Sequence, residues 1–255
     1  MNTKQRYFIE LSFVGTHYHG WQIQKNAHSV QAELNAALST LLQEEIATLG
    51  AGRTDTGVHA KQFFAHFDSI KHGTKEELTR WAFQLNCMLP KDIAILRIFP
   101  VDTDAHARFD AVSRTYKYVI TQKKDPFMEE FACYLYGPLD MKKMNEAAAT
   151  LKNYTDFSCF SKSRTQVKTN ECTITHAEWK LDKNKQLIFT ITANRFLRNM
   201  VRAIVGTLVD IGQGKLEIED LHRIIEGKKR SAAGESMPAC GLYLMEIKYP
   251  HSIVN

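Results

Sequence analysis

Segments that alternate with a period of two and segments that repeat every three to four residues follow one another in the order β-α-β-β-α-β, and that order then runs a second time. In the first pass Tyr7–Phe13 reads as a strand, Val30–Leu42 as a helix with Ser29 as N-cap, and Ile46–Leu49 and Ala60–Phe67 as strands. Thr74 and Glu77 have capping-box spacing and open a helix to about Asn86, and Asp92–Val101 closes the pass as a strand. In the second pass Arg114–Ile120 is a strand and Asp140 caps a helix through about Leu151. "CTITHAEWKL" and "QLIFTITA" flank "DKNK" as a hairpin. Helices from Phe196 to about Ile211 and near Glu219–Glu226 come next, then the strand "GLYLMEIKY".

This order implies an α+β fold of two ferredoxin-like halves, an arrangement that RNA-recognition modules also use. The halves, residues 1–104 and 105–255, would share a mainly antiparallel sheet with helices packed on it and a central cleft for RNA. "FPVDTDAHARFDAVSR" (99–114) is the connection expected between them, in place of a Gly/Ser-rich linker. The 255 residues are 44% hydrophobic and 24% charged, which suits a globular chain with a sizeable core. A net charge of +5 leans towards a polyanionic partner. Five scattered cysteines with no C-x-x-C pair offer neither a disulfide framework nor a zinc site and fit a reducing cytosol. The first residues lack an apolar leader, and no run of about 18 apolar residues occurs. A soluble cytoplasmic protein with no membrane contact is expected.

Within this frame one loop stands out, "GAGRTDTGVHA" at 50–60, where Arg53 and Asp55 sit between glycines. A tight turn needs only Asp with Gly, so Asp55 reads either as a turn residue or as a reactive carboxylate on a scaffolded loop. A cation nearby would keep it ionised, competent as nucleophile or base. In "FLRNMVRAIVGTLVDIG" the apolar stripe Leu197, Met200, Val201, Ile204, Val205 and Leu208 faces a core, with Arg198 and Arg202 on its shoulder and Arg195 before them. These arginines are either snorkelling surface groups or a cationic rim, and Arg202 is the one best placed to meet Asp55. Alternation in "RTYKYVI" puts Tyr116 and Tyr118 on one face, as core residues or, for Tyr116, as a stacking platform. "SKSRTQVK" (161–168) and "GKKR" (227–230) are basic runs, solvated or phosphate-facing. No G-K-[ST] phosphate loop, glycosidase carboxylate pair or metal-ligand spacing is present, so no phosphate loop and no metal site is expected.

Taken together, "YHGWQIQ", "GAGRTDTGVHA", "HARFDAVSRTYKY", "DFSCFS", "FLRNMVRAIVGTLVDIGQG" and "PACGLYL" resemble, in content and order, the TruA family of tRNA pseudouridine synthases nearly end to end. The usual family form has Ala where this chain has Thr56. The resemblance implies a cofactor-free isomerase that turns uridine into pseudouridine at positions 38 to 40 of the tRNA anticodon stem-loop. It implies Asp55 as the essential catalytic residue, with Arg202 as its charge partner. Tyr116 would stack on the target base, Leu242 would floor the uracil pocket, and Arg53 would help hold the base out of the stack. Segments Ala105, His106, Ala107, Arg108, Phe109 and Ser161, Lys162, Ser163, Arg164, Thr165 would touch tRNA, and a homodimer is implied. A related synthase acting at another tRNA position, or a non-catalytic RNA-binding protein, are the rival readings.

Overall fold

The computed structural model describes residues 4–162 and 169–254, whose backbone forms nine strands, mainly antiparallel, and five α-helices. They fall into two compact units, Met1–Val112 with Leu244–Asn255, and Ser113–Tyr243.

The first unit contains β1 (Gln5–Phe13), α1 (Val30–Leu42), β2 (Leu49–Gly50), β3 (His59–Ser69), α2 (Lys75–Met88) and β4 (Ile93–Val101). Strand β1 lies between β3 and β4, antiparallel to both, and β2 adds two residues to β3. Central position buries both faces of β1, so Tyr7, Phe8, Ile9 and Leu11 are all enclosed. Tyr7 meets Trp81 of α2 on one face, and Phe8 meets Phe99 and Tyr249 on the other. On that second face the buried Glu10 carboxylate is paired with Arg97 at 2.5 Å and Gln62 at 2.7 Å, as a carboxylate removed from water requires. Both predicted helix starts form. Ser29 Oγ accepts the Ala32 N–H at 3.3 Å, and Thr74 with Glu77 makes the full capping box.

The strand expected at Ile46–Leu49 is shorter and later, because the backbone there is taken by α1. Ile46 N–H donates to Ser39 Oγ and Thr48 N–H to Asn35 Oδ1, leaving only Leu49 and Gly50 for the sheet.

The second unit contains β5 (Ser113–Thr121), β6 (Cys133–Tyr134), α3 (Met141–Thr150), β7 (Ile174–Leu181), β8 (Leu187–Ala193), α4 (Met200–Gly212) and α5 (Ile218–Gly227). Strand β8 pairs antiparallel with β5 and β7, and β6 runs parallel to β5. The hairpin predicted at "DKNK" forms, with Asp182 Oδ1 accepting the Asn184 and Gln186 N–H groups and Lys185 at φ 60°. Helices α3 and α4 pack closely enough that a Cβ on Gly212 would overlap the Met144 side chain. The last strand, β9 (Leu242–Lys248), has its first two residues in the second unit and the rest in the first.

Helix α4 begins at Met200, not at Phe196 as the apolar spacing predicts. Asn199 takes a left-handed conformation, φ 67°, which an α-helix cannot propagate. Its Nδ2 bonds Ser236 Oγ at 2.5 Å. Arg195 and Arg198 therefore stand in the preceding turn, and only Arg202 of the three is helical. The stripe from Leu197 to Leu208 is nonetheless buried.

Candidate active site

In the first unit the loop between β2 and β3 carries Arg53 and Asp55. Arg53 is exposed, and Asp55 is half-buried. The turn that starts at Asp55 is closed by Val58 N–H donating to Asp55 O at 3.2 Å, and Gly57 supplies φ 79°. A second loop, residues 15–21, lies against this one. Trp21 N–H donates to Thr54 Oγ1 at 3.0 Å, Gly57 N–H to Tyr18 O at 3.2 Å, and Gly15 N–H to His59 Nδ1 at 3.1 Å. His59, near enough in sequence to suggest a role beside Asp55, is buried and spends its Nδ1 on this contact. Trp21 is itself buried against Phe63, with ring centroids 4.3 Å apart, and its ring fills the space beside Gly50. A side chain at Gly52, by contrast, would meet open space. The Asp55 end of the loop is bound to the core, and the Arg53 end faces open space.

The second candidate segment of this unit, Ala105–Phe109, is a turn on the Phe8 face of the sheet. Ala105 and Ala107 are buried, His106 is half-buried, Arg108 is exposed, and the Phe109 ring is 73% exposed. The turn is held from below: Arg6 Nη1 donates to Ala105 O, Tyr249 Oη to Ala107 O at 2.5 Å, and Ala107 N–H to His66 Nδ1 at 3.1 Å. The His106 ring stacks under Phe109 at 4.2 Å, while its Nδ1 receives the Arg108 N–H. Arg6 in turn is fixed by a two-pronged pair with Asp68, whose carboxyl this pair holds below its usual pKa. Burial, with Arg6 and His106 nearby, pushes His66 down to about 4. His66 is thus neutral and able to accept at neutral pH.

The second unit carries Tyr116, Arg202 and Leu242. Tyr116 on β5 is half-buried, its ring edge-on to Phe196 at 5.1 Å. Leu242 is buried at the start of β9. Arg202 on α4 is half-buried. Its Nε donates to Met237 O at 2.6 Å, and Met237 N–H returns to Arg202 O at 3.1 Å. The next carbonyl, Pro238 O, accepts from Tyr118 Oη at 2.7 Å. Tyr118 is wholly buried, which raises its pKa and keeps it a donor. Two adjacent carbonyls thus tie α4 and β5 to the segment leading into Leu242. Ser161 is buried and Lys162 exposed, its N–H donating to Arg198 O. Ser163, Arg164 and Thr165 lie outside the described residues.

Inside each unit the predicted residues are therefore ordered by partners the motifs did not reveal: Gly20 and Trp21, His66, Tyr118 and Met237. Gly20 and Trp21 lie inside "YHGWQIQ" and Tyr118 inside "HARFDAVSRTYKY", whereas His66 and Met237 had no sequence signal attached to them. Among the described residues no cluster of His, Cys, Asp and Glu could hold a metal ion, and no helix is long and apolar enough to cross a membrane.

A family model described as tRNA pseudouridine synthase matches residues 11–110 and 147–250. Among curated proteins, the chain is 52% identical over 249 residues to the tRNA pseudouridine synthase A of Bacteroides fragilis, covering 98% of each. It is 53% identical to that of Porphyromonas gingivalis, covering 97% of this chain and 98% of the relative. At greater distance the Bacillus pumilus protein of the same name is 37% identical over 94% of this chain and 97% of its own.

Proposed function

Because this chain belongs to the tRNA pseudouridine synthase family and is an isomerase acting on tRNA, we propose that it converts uridine to pseudouridine in the anticodon stem-loop, at positions 38 to 40, with Asp55 as catalyst. The observation that carries the assignment is the loop itself: the matched motif presents one carboxylate on a backbone bound to the core, beside an exposed arginine next to an open glycine. A reacting group must be held to within a fraction of an ångström, whereas a group that tracks RNA must move.

The reaction cuts the N1–C1′ bond, turns the uracil and joins C5 to C1′. A uridine inside a stacked stem is out of reach, so the nucleotide is flipped at a cost of a few kcal/mol. Arg53 fills the vacated stack and Tyr116 covers the flipped base. Asp55 attacks C1′ or removes the 2′ proton, and either role needs an ionised carboxylate. In this reading Arg202, whose Nε is held by the Met237 carbonyl within its own unit, is the cation that keeps it so. Leu242 gives the cut uracil a dry floor that excludes water from the intermediate. Ala105, His106, Ala107, Arg108 and Phe109, with Ser161, Lys162, Ser163, Arg164 and Thr165, contact the tRNA. The protein works as a homodimer, and its sequence halves 1–104 and 105–255 are read as ferredoxin-like.

Position-resolved pseudouridine mapping of tRNAs from a strain lacking the gene tests this. Loss at positions 38 to 40, restored by the wild-type gene, is expected. Loss confined to another position would select the rival reading of a synthase with a different target.

A further inference from the structure

We propose that Thr54 and Gly20 are positioning residues for Asp55, forming a clasp that fixes the carboxylate's backbone; the inference rests on the reading of Asp55 as the catalytic group. The main chain around Asp55 is held on both sides. On the N-terminal side Thr54 Oγ1 accepts the Trp21 N–H at 3.0 Å, and on the C-terminal side Gly57 N–H donates to Tyr18 O at 3.2 Å. Between them the Asp55 carbonyl closes its own turn on Val58.

Gly20 makes the clasp possible. At φ 87° it adopts a conformation that L side chains avoid, and any Cβ there would overlap the Thr54 carbonyl and crowd the Asp55 carbonyl carbon at 3.2 Å. The other end repeats the close approach, since a Cβ on Gly15 would overlap the Val58 carbonyl. The unusual backbone of Gly20 is anchored by its neighbour Trp21, which is locked between Phe13 and Phe63 under Gly50. A rigid aromatic core is therefore one hydrogen bond and one peptide away from Asp55. The hydroxyl of Thr54 acts as an acceptor here, so valine, its isostere, cannot replace it, whereas serine can.

The test is single-turnover pseudouridine formation with enzyme in excess over saturating tRNA, beside tRNA Kd and thermal midpoint, for T54V, T54S and D55N. T54V should react about 10- to 100-fold more slowly with tRNA affinity unchanged, as displacement of a catalytic group predicts. T54S should stay within about threefold of wild type, the hydroxyl being retained. Should T54V fail to fold, T54A, which lacks the same acceptor, replaces it. A T54V or T54A rate equal to wild type overturns the clasp, as does a T54S rate equally slow. So does a rate loss that merely mirrors lost tRNA binding. Retained activity in D55N would instead overturn the catalytic reading beneath it.

Discussion

At Ala107 a main-chain N–H points to His66 Nδ1, and at Arg108 another points to His106 Nδ1. Both contacts need the unprotonated ring, and burial lowers both histidines, His66 to about 4. In the unfolded chain His66 takes up its proton near 6.5, so the unfolded state binds more protons between that pH and about 4. Stability is fully present above about pH 6.5 and declines as pH falls through this window, by at most about 3 kcal/mol from His66. H66Q should flatten that part of a urea-midpoint profile. An unchanged profile would place the acid sensitivity elsewhere. His66 had no signature in the sequence: a lone histidine within "AKQFFAHF" looks like any half-buried strand residue. Asp55 drew notice because its type and glycine setting are unusual, whereas its loop is held by the Trp21 N–H on the Thr54 hydroxyl and by the Gly57 N–H on the Tyr18 carbonyl, groups that no motif singles out. The letter Gly at position 20 permits the φ of 87° found there but does not announce it.

Elements were read well where local chemistry determines them and poorly where a tertiary partner competes. Ser29, Thr74 with Glu77, and Asp140 all cap as their letters suggest, because a cap needs only its own first turn. Ile46–Leu49 has strand-forming letters, but Asn35 and Ser39 of α1 take its donors. The apolar run from Phe196 has helical spacing, but the left-handed Asn199 delays the helix by a turn and sets Arg198 apart from Arg202. Asn199 tolerates that conformation and adds a bond to Ser236. N199A should therefore lower stability by about 1–2 kcal/mol, read as a shift in urea midpoint, while N199G, free of the Cβ strain, should lose less. Equal losses would mean the Ser236 bond, not the dihedral, governs the start of α4. Since Arg202 sits in the first turn of that helix, N199A should also slow turnover.

Across the whole molecule, periodicity identifies "GLYLMEIKY" as a strand, which forms over Leu242–Lys248, but says nothing of its neighbours. Tyr249, just beyond it, packs on Phe8 and Phe64 and donates to Ala107 O, so this residue supports a turn built 142 positions earlier. Contact partners at such separation leave no periodic trace, which is why the grouping of Leu244–Asn255 with Met1–Val112 emerges only in three dimensions. The candidate residues likewise fall in both units, Asp55 and Arg53 in one and Tyr116, Arg202 and Leu242 in the other. What unites them is a single chemical claim, that one carboxylate drives the isomerisation. D55N tests it most directly, because the variant keeps the size and turn-forming ability of the residue and removes only its charge. Carbodiimide mapping of a tRNA incubated with the purified variant should show no pseudouridine while tRNA affinity stays at the wild-type level. Pseudouridine formed by D55N at the wild-type rate would contradict the account.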